Sequence, residues 1–206
     1  MKLTIVDHPL AKHFLSRLRD KRTSSPEFRD LCRRITALLL VEATRDLRVK
    51  KKKIRTPLAT VMAPFVSERP VVIPILRSGQ GMLEAFTEML PDMDVGYIGL
   101  ERDERTALAN RYYQKFPDLK DRLVIVLDPM LATGGSASQT IRLVLRRSPR
   151  KVKFVCVIAA PEGIRSLRKN FPRLEVFTAA VDKRLNAKKY IVPGLGDFGD
   201  RLYGTR

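Results

Sequence analysis

One segment of the sequence combines an acid, two hydroxyl side chains and adjacent glycines directly after an apolar run. The apolar residues Leu123 to Leu127 are followed by Asp128, and then by Thr133, the pair Gly134-Gly135 and Ser136. Two glycines allow the backbone to turn its amides towards one point, where a following helix also directs its positive end. The pattern predicts a phosphate-binding loop with two hydroxyl donors, and with Asp128 as an acceptor for sugar hydroxyls.

This loop differs from the common nucleotide-binding turns. It has no Lys after the second glycine, as a Walker loop requires, and it is not a G-x-G-x-x-G dinucleotide turn. Taken alone, the four residues from Thr133 to Ser136 also fit an ordinary strand-to-helix turn with a serine cap. The apolar strand and Asp128 in front of them favour the phosphate site.

The elements that position this loop are short apolar strands that alternate with helices from Val71 onward. Such an alternation predicts a doubly wound, mainly parallel sheet, whose ligands bind beyond the carboxyl ends of the strands. The predicted strands are Val71 to Leu76, Val95 to Leu100, Leu123 to Leu127, Val152 to Ala160 and Leu174 to Ala180, and the predicted helices between them are Gly81 to Leu90, Gly135 to Arg147 and Gly163 to Phe171.

The first third of the chain is predicted to be helical. Ser25 suits an N-cap and Pro26 the first turn, and apolar residues then recur at helical spacing from Phe28 to about Thr44. A shorter stripe from Leu10 to Leu18 predicts an earlier helix. Because no repeat, low-complexity tract or linker divides the sequence, we expect a single domain over residues 1–206.

The net charge leaves several partners open. The 206 residues carry 40 Lys and Arg against 22 Asp and Glu, an excess of +18, while 44% of the residues are hydrophobic and can build a core. Such a chain could bind nucleic acid, an anionic membrane surface or a small polyanion. The segment Arg45 to Arg55 is predicted to be an edge strand or hairpin arm, with a nucleic-acid contact as the alternative; a second basic cluster spans Arg142 to Lys153.

Other features of the sequence argue against a transmembrane helix and against a zinc site. The longest wholly apolar run, Phe154 to Ala160, has seven residues and is too short to span a bilayer, and no secretory signal is expected. Cys32 and Cys156 have apolar neighbours, which is typical of inert thiols in a reducing cytoplasm. We assign no chemistry to His8 and His13, and a zinc site is not expected.

The segment Leu123 to Ser136 resembles the phosphoribosyl-pyrophosphate loop of the type I phosphoribosyltransferases. Most of that superfamily has two adjacent acids at the strand end; here Pro129 replaces the second, which is the form found in uracil phosphoribosyltransferases. Further blocks resemble that family in the same order, namely residues 42–47, 56–58, 74–77, 159–164 and 190–201.

The resemblance implies transfer of ribose 5-phosphate from phosphoribosyl pyrophosphate to uracil, which forms UMP and pyrophosphate in pyrimidine salvage. The implied catalytic residues are Arg77, Asp128 and Asp197. The implied donor-binding residues are Arg77, Arg102, Asp128, Pro129, Met130, Leu131, Ala132, Thr133, Gly134, Gly135, Ser136 and Asp197. The implied uracil-binding residues are Tyr190, Ile191, Gly196, Asp197 and Phe198, which act largely through main-chain atoms.

The implied fold is a five-stranded sheet with a helical N-terminal region, a β-arm and a C-terminal hood that recognises the base. The resemblance also implies Mg²⁺, held mainly by pyrophosphate with Asp197 as a candidate ligand, a cytoplasmic homodimer or homotetramer, and GTP as a candidate effector. Under this resemblance, neither a membrane nor a nucleic acid is expected as a partner.

Some positions depart from the family pattern. Ser78 stands where the family usually has Ala, and Glu101 precedes Arg102 where an apolar or aromatic residue is common. A surface arginine at a strand end is the alternative for Arg77, and a salt-bridged surface loop is the alternative for Arg102. The alternative for the tail is a glycine-rich turn.

Two other functions stay open at this point. The donor loop does not report the identity of the base, so a phosphoribosyltransferase for another base is the first. The second is an RNA-binding regulator on the same fold, with the two basic clusters as its footprint, although neither cluster has interleaved aromatic residues.

Overall fold

A computed structural model describes residues 1–102 and 109–205 of the protein. Its helices are α1 (Pro9–Arg19), α2 (Ser25–Ala43), α3 (Gln80–Met89), α4 (Gly135–Leu145), α5 (Pro161–Asn170) and α6 (Phe198–Tyr203). Its strands are β1 (Lys2–Ile5), β2 (Val49–Arg55), β3 (Thr60–Val66), β4 (Val71–Leu76), β5 (Asp94–Val95), β6 (Tyr97–Arg102), β7 (Ala109–Lys115), β8 (Leu123–Leu127), β9 (Met130–Leu131), β10 (Lys151–Ala159), β11 (Glu175–Val181), β12 (Arg184–Leu185) and β13 (Ile191–Val192).

The central sheet has the strand order β1-β11-β10-β8-β4-β6-β7, with β5 beside β4 and β9 beside β10. All of its pairs are parallel except β6 with β7, so the predicted mainly parallel sheet is confirmed. Val71 to Leu76 and Leu123 to Leu127 have the predicted bounds, whereas the predicted strand Val95 to Leu100 is divided between β5 and β6. The sheet is wider than five strands, because β1 and β7 extend its two edges.

Helices cover both faces of the sheet, as expected for a doubly wound fold. Successive strand residues alternate between two cores: Val72 and Ile125 join α1, α2, α3 and α6 on one face, and Ile73 and Val126 join α4 and α5 on the other. Strands buried on both faces must be apolar throughout, which explains why they were recognisable in the sequence.

The two N-terminal helices lie where the apolar stripes predict them. The start of α2 differs by one residue: its N-cap is Ser24, and Ser25 is already helical. Ser24 makes no side-chain capping bond, so neither serine has the predicted cap interaction. The two serines are adjacent and both stand just before or near Pro26, so the sequence alone does not separate the two positions.

The basic segment before Thr56 forms one arm of a hairpin, as predicted. Strand β2 pairs antiparallel with β3 in a two-stranded sheet separate from the central one. Lys50 to Lys53 are exposed along it, and the Lys52 ammonium lies 5.4 Å from the centroid of the Phe65 ring.

Part of the second basic cluster pairs with acids from distant parts of the chain. Lys153 is 1% exposed, and its ammonium donates to the Ala43 carbonyl at 2.6 Å and forms an ion pair with Asp46. Lys151 pairs with Asp46 at 2.8 Å and with Glu175 at 2.6 Å. Burial alone would raise the pKa of Asp46, but hydrogen bonds from the two lysines outweigh it and lower the pKa to about 2. These lysines therefore stabilise the fold and do not form a free nucleic-acid surface.

Two further observations concern the cysteines and the apolar character of the helices. Cys32 and Cys156 are buried free thiols, and burial raises the pKa of each to about 12, which suits the predicted inert role. Among the helices of residues 1–102 and 109–205, none combines the length and the apolar composition that a membrane crossing requires.

We predict that Lys153→Met lowers the free energy of unfolding in urea. Breaking a buried pair typically costs about 3–5 kcal/mol; we expect about 1–3 kcal/mol here, because Asp46 is half exposed and keeps Lys151. Arg146→Met, at an exposed position, is the control. Equal losses in the two variants, or no loss in Lys153→Met, would contradict the structural role.

Candidate active site

The loop from Asp128 to Ser136 is fastened to the neighbouring strand β10. The Pro129 carbonyl accepts hydrogen bonds from the N–H groups of Val157 at 3.0 Å and Ile158 at 3.1 Å, and the Leu131 carbonyl accepts one from Ala160 at 2.8 Å. The loop turns into α4 at Gly134, whose φ of 83° is left-handed and favours glycine. The backbone is thus fixed at the carboxyl edge of the sheet.

The first turn of α5 packs against the back of this loop. A Cβ atom added at Gly163 would lie 2.6 Å from the Ala132 carbonyl oxygen and 2.9 Å from the Leu131 carbonyl oxygen. One added at Gly134 would lie 3.3 Å from the Gly163 carbonyl oxygen. Glycines at these two positions let helix and loop approach closely.

Asp128 is partly buried at the end of β8, where its carboxyl group is poorly solvated. Burial raises its pKa to about 7, although hydrogen bonds from the Met130 N–H and the Ser78 side chain oppose the rise. Near neutral pH the group can therefore exist as a carboxylic acid or a carboxylate. The carboxylate is the form that accepts hydrogen bonds from sugar hydroxyls.

The turn after β4 lies directly against this strand end. A Cβ atom at Gly79 would be 2.5 Å from the Leu127 carbonyl oxygen, so the turn can approach β8 only without a side chain there. The peptide bond between Leu76 and Arg77 is cis. The Arg77 guanidinium is well exposed and lies 3.7 Å from the Asp200 carboxylate, which brings it near the C-terminal helix α6.

The segment between β13 and α6 forms the other wall of the site. Gly194 and Gly196 have φ values of 67° and 75°, and the Val192–Pro193 peptide bond is cis. The buried Asp182 carboxylate accepts hydrogen bonds from the Gly194 N–H at 2.8 Å and from the Arg19 guanidinium at 2.5 and 2.9 Å. The tail is therefore held to α1 through one carboxylate.

Helix α6 is held by a second set of contacts to the N-terminal helices. The Arg201 guanidinium donates to the Leu195 carbonyl at 2.8 Å and lies 4.4 Å above the centroid of the Phe28 ring. Phe28 also packs edge-on against Phe198, with 4.9 Å between the ring centroids. Asp197 begins α6 as its N-cap and accepts a hydrogen bond from the Asp200 N–H at 3.0 Å.

The loop from Asp128 to Ser136 and the C-terminal segment meet around one open cavity of about 190 Å³. The structure brings together seven of the predicted residues there: Met130, Ala132, Tyr190, Ile191, Gly196, Asp197 and Phe198. Ser78, Lys189 and Gly199 also line the cavity and were not predicted to bind substrate. The position of Ser78 beside Arg77 was a signal that could have found it; Lys189 has none, because it is one of many lysines.

Other predicted residues, among them Arg77 and Asp128, do not line the cavity. Thr133 and Gly135 are at the turn into α4, where the Gly135 N–H donates to the Thr133 hydroxyl at 3.4 Å, and Ser136 is in the first turn of that helix. Arg102 is the last residue of β6, and its side chain lies outside the described residues. Its contact with pyrophosphate stays a prediction.

The described residues do not by themselves form a metal centre. Within residues 1–102 and 109–205, no group of three or more His, Cys, Asp or Glu side chains could hold a metal ion. Asp197 is exposed, so it could supply one ligand to a Mg²⁺ ion that a bound pyrophosphate also holds.

Comparison with known proteins identifies one family. The pattern that defines the uracil phosphoribosyltransferases matches residues 5–205. A protein of Beutenbergia cavernae named uracil phosphoribosyltransferase is 49% identical over 210 residues, which covers 100% of both chains. One of Malacoplasma penetrans with the same name is 45% identical over 203 residues, and the match covers 98% of each chain.

Solved structures agree with the fold. A protein of Aquifex aeolicus superposes with a TM-score of 0.94 at 40% identity, over 98% of each chain. A hypoxanthine-guanine phosphoribosyltransferase of Bacillus anthracis superposes with a TM-score of 0.51 at 13% identity, over 74% of this chain and 78% of its own. This second likeness concerns the fold alone.

We predict that Asp128→Asn stabilises the protein above pH 7. The folded pKa of about 7 lies above the ordinary value of 3.8, so the unfolded chain loses this proton first, and the free energy of unfolding falls as the pH rises from 3.8 to about 7. An amide cannot ionise. The urea midpoint of the variant should exceed that of the parent at pH 8, and the difference should shrink towards pH 5. A constant difference across this range would show that the ionisation of Asp128 is not responsible.

Proposed function

The chain belongs to the uracil phosphoribosyltransferase family, and we propose that its site transfers the 5-phosphoribosyl group from phosphoribosyl pyrophosphate to a ring nitrogen of uracil. The products are UMP and pyrophosphate. One observation carries the proposal: the loop after Asp128 and the segment from Tyr190 to Gly199 face each other across a single cavity. A two-substrate transfer needs the donor and the acceptor to be held side by side in this way.

The donor end of the site is the loop from Asp128 to Ser136. The start of α4 and the hydroxyl groups of Thr133 and Ser136 suit the 5-phosphate, since free N–H groups and the helix dipole favour an anion. The Asp128 carboxylate suits the ribose hydroxyls. In this proposal Asp128 orients the sugar, and its pKa near 7 sets the pH above which it does so as an anion.

The acceptor end is built from backbone. Uracil offers an imide N–H between two carbonyl groups, and main-chain groups at Ile191, Gly196 and Phe198 can recognise that pattern without a charged side chain. The small cavity and the half-exposed ring of Tyr190 suit a single planar ring. Backbone recognition on a well-anchored segment favours a fixed orientation of the base.

The pyrophosphate end combines cations with a candidate metal ligand. Arg77 is exposed beside the cavity, and we assign it, together with Arg102, to the leaving pyrophosphate. A Cβ atom at Gly199 would lie 3.5 Å from an Asp197 carboxylate oxygen and 4.0 Å from the Arg77 guanidinium, so both groups flank one point. Mg²⁺ bound with pyrophosphate would neutralise charge on the leaving group, and Asp197 would hold it.

The chemistry in this proposal depends on position and electrostatics. As pyrophosphate leaves, the anomeric carbon gains positive character, and no nucleophilic side chain is required. The two anchors hold the ring nitrogen against that carbon, while Arg77 stabilises the charge that develops on the departing oxygen.

We also infer that residues 1–206 form a single domain. We infer in addition that the chain assembles as a homo-oligomer in the cytoplasm. The exposed apolar side chains of the β2–β3 hairpin support association, since a monomer would leave them in water; they include Val49, Leu58, Met62, Phe65 and Val66. A homodimer is the smallest assembly that would cover them, and a homotetramer would have two such dimers. We also propose GTP as a candidate effector, and its influence on the rate of UMP formation is to be measured on the assembled protein.

We predict that the purified protein forms UMP from uracil and phosphoribosyl pyrophosphate in the presence of Mg²⁺. The measurement is nucleotide formation with uracil, and in parallel with hypoxanthine and adenine. Turnover with a purine and none with uracil would contradict the assignment of the base. Salt-sensitive RNA binding without any turnover would favour the regulator.

We predict that Asp128→Asn lowers kcat/KM for phosphoribosyl pyrophosphate by about 100-fold, the cost of two weakened hydrogen bonds to a charged group. The KM for uracil should change much less, because the base is held by other residues. Asp92→Asn, at an exposed acid away from the cavity, is the matched control. Unchanged kinetics in Asp128→Asn would remove this residue from the site.

A further inference from the structure

Glu162, in the first turn of α5, has an unusual environment for an acid. One carboxylate oxygen, Oε1, accepts a hydrogen bond from the Leu185 N–H at 3.3 Å. The other, Oε2, is shielded from solvent and has no hydrogen-bond partner within the described part of the chain. Burying a carboxylate oxygen without a hydrogen bond costs free energy. The position of the Glu162 side chain is therefore not that of an ordinary solvated acid on a helix surface.

The environment nevertheless favours the charged form of Glu162. Its pKa is lowered, first by the hydrogen bond from its own N–H, against the effect of burial, and then by the Leu185 N–H and the charges of Arg165 and Lys189. The N-terminal end of α5 adds a favourable dipole. Glu162 is thus a stable anionic acceptor for Leu185.

Leu185 is the last residue of β12, the first strand of the hairpin that carries the proposed base-binding residues. Strand β12 pairs with β13 through Leu185 and Ile191. The turn between them is closed by hydrogen bonds from the Asn186 N–H to the Tyr190 carbonyl and from the Tyr190 N–H to the Asn186 side chain, each 2.9 Å. Tyr190 and Ile191 line the cavity, so the position of this short hairpin sets one wall of it.

The same helical turn touches the donor loop on its other side. Gly163, the residue after Glu162, packs against the carbonyl groups of Leu131 and Ala132. The first turn of α5 is therefore in contact with both substrate-binding walls, through two consecutive residues.

We propose that Glu162 is a positioning residue that holds the base-binding hairpin at a fixed distance from the donor loop. The proposal rests on the function proposed above, because it concerns how the acceptor nitrogen is held against the donor. Glu162 does not touch the cavity, so its effect passes through Leu185 to Tyr190 and Ile191.

Three substitutions separate the reach of this side chain from its charge. Glu162→Gln keeps a carbonyl oxygen at the same distance from Leu185. Glu162→Asp keeps the charge at the helix start but is one methylene too short, and Glu162→Ala removes both. Glu88→Ala, an exposed acid on α3, is the control for loss of an acid.

We expect Glu162→Asp and Glu162→Ala to lower kcat/KM for uracil by about tenfold, as the loss of one hydrogen bond to a charged group would. The KM for phosphoribosyl pyrophosphate should stay within about twofold, since the donor loop is held by β10. Glu162→Gln should stay within about threefold of the parent. Equal losses for both substrates, or Glu162→Asp behaving as the parent, would overturn the proposal.

Hydrogen exchange gives a readout that does not depend on turnover. The amide of Leu185 and the turn up to Ile191 should exchange about tenfold faster in Glu162→Asp and Glu162→Ala, with the rest of the protein unchanged. Unaltered exchange in both would overturn the anchor. If the parent protein failed to use uracil, the proposed function would be wrong, while the exchange data would still decide whether Glu162 anchors the hairpin.

Discussion

The buried carboxylate of Asp182 is the contact on which the arrangement of the candidate site depends. It joins Arg19 of the first helix to Gly194 of the C-terminal segment, and Arg19 also donates to the Gly194 carbonyl at 2.8 Å. A carboxylate that receives three hydrogen bonds in a poorly solvated position tolerates little displacement of its partners. The left-handed turns at Gly194 and Gly196 are therefore held in one place, together with the backbone groups that we propose recognise the base.

The sequence was informative where a pattern has only one structural solution. Strands buried on both faces must be continuously apolar, so β4 and β8 could be bounded to the residue, and the loop after Asp128 follows from its glycines and hydroxyl groups. The short edge strand β1 could not be recognised in this way, because Lys2 and Ile5 are exposed and the strand is defined by its pairing with β11.

Contacts between residues that are far apart in the sequence could not be predicted from local sequence patterns. Ser78 is recognisable as a turn residue, yet its hydrogen bond to Asp128 depends on how closely Gly79 approaches Leu127. The basic run near residue 150 has no acid near it in sequence, but Asp46 and Glu175 reach it in space. Part of this basic run is thus paired with acids, whereas Lys50 to Lys53 of the hairpin arm are exposed.

The bond between Arg19 and Asp182 joins residues 163 positions apart in the chain. During synthesis on the ribosome the first two helices emerge early, whereas the residues that complete the base-binding wall emerge last. Until then the apolar faces of these helices, which include Phe28, lack the C-terminal residues that pack on them in the folded protein. The cavity is therefore completed only when the last segment of the chain has packed against the first two helices.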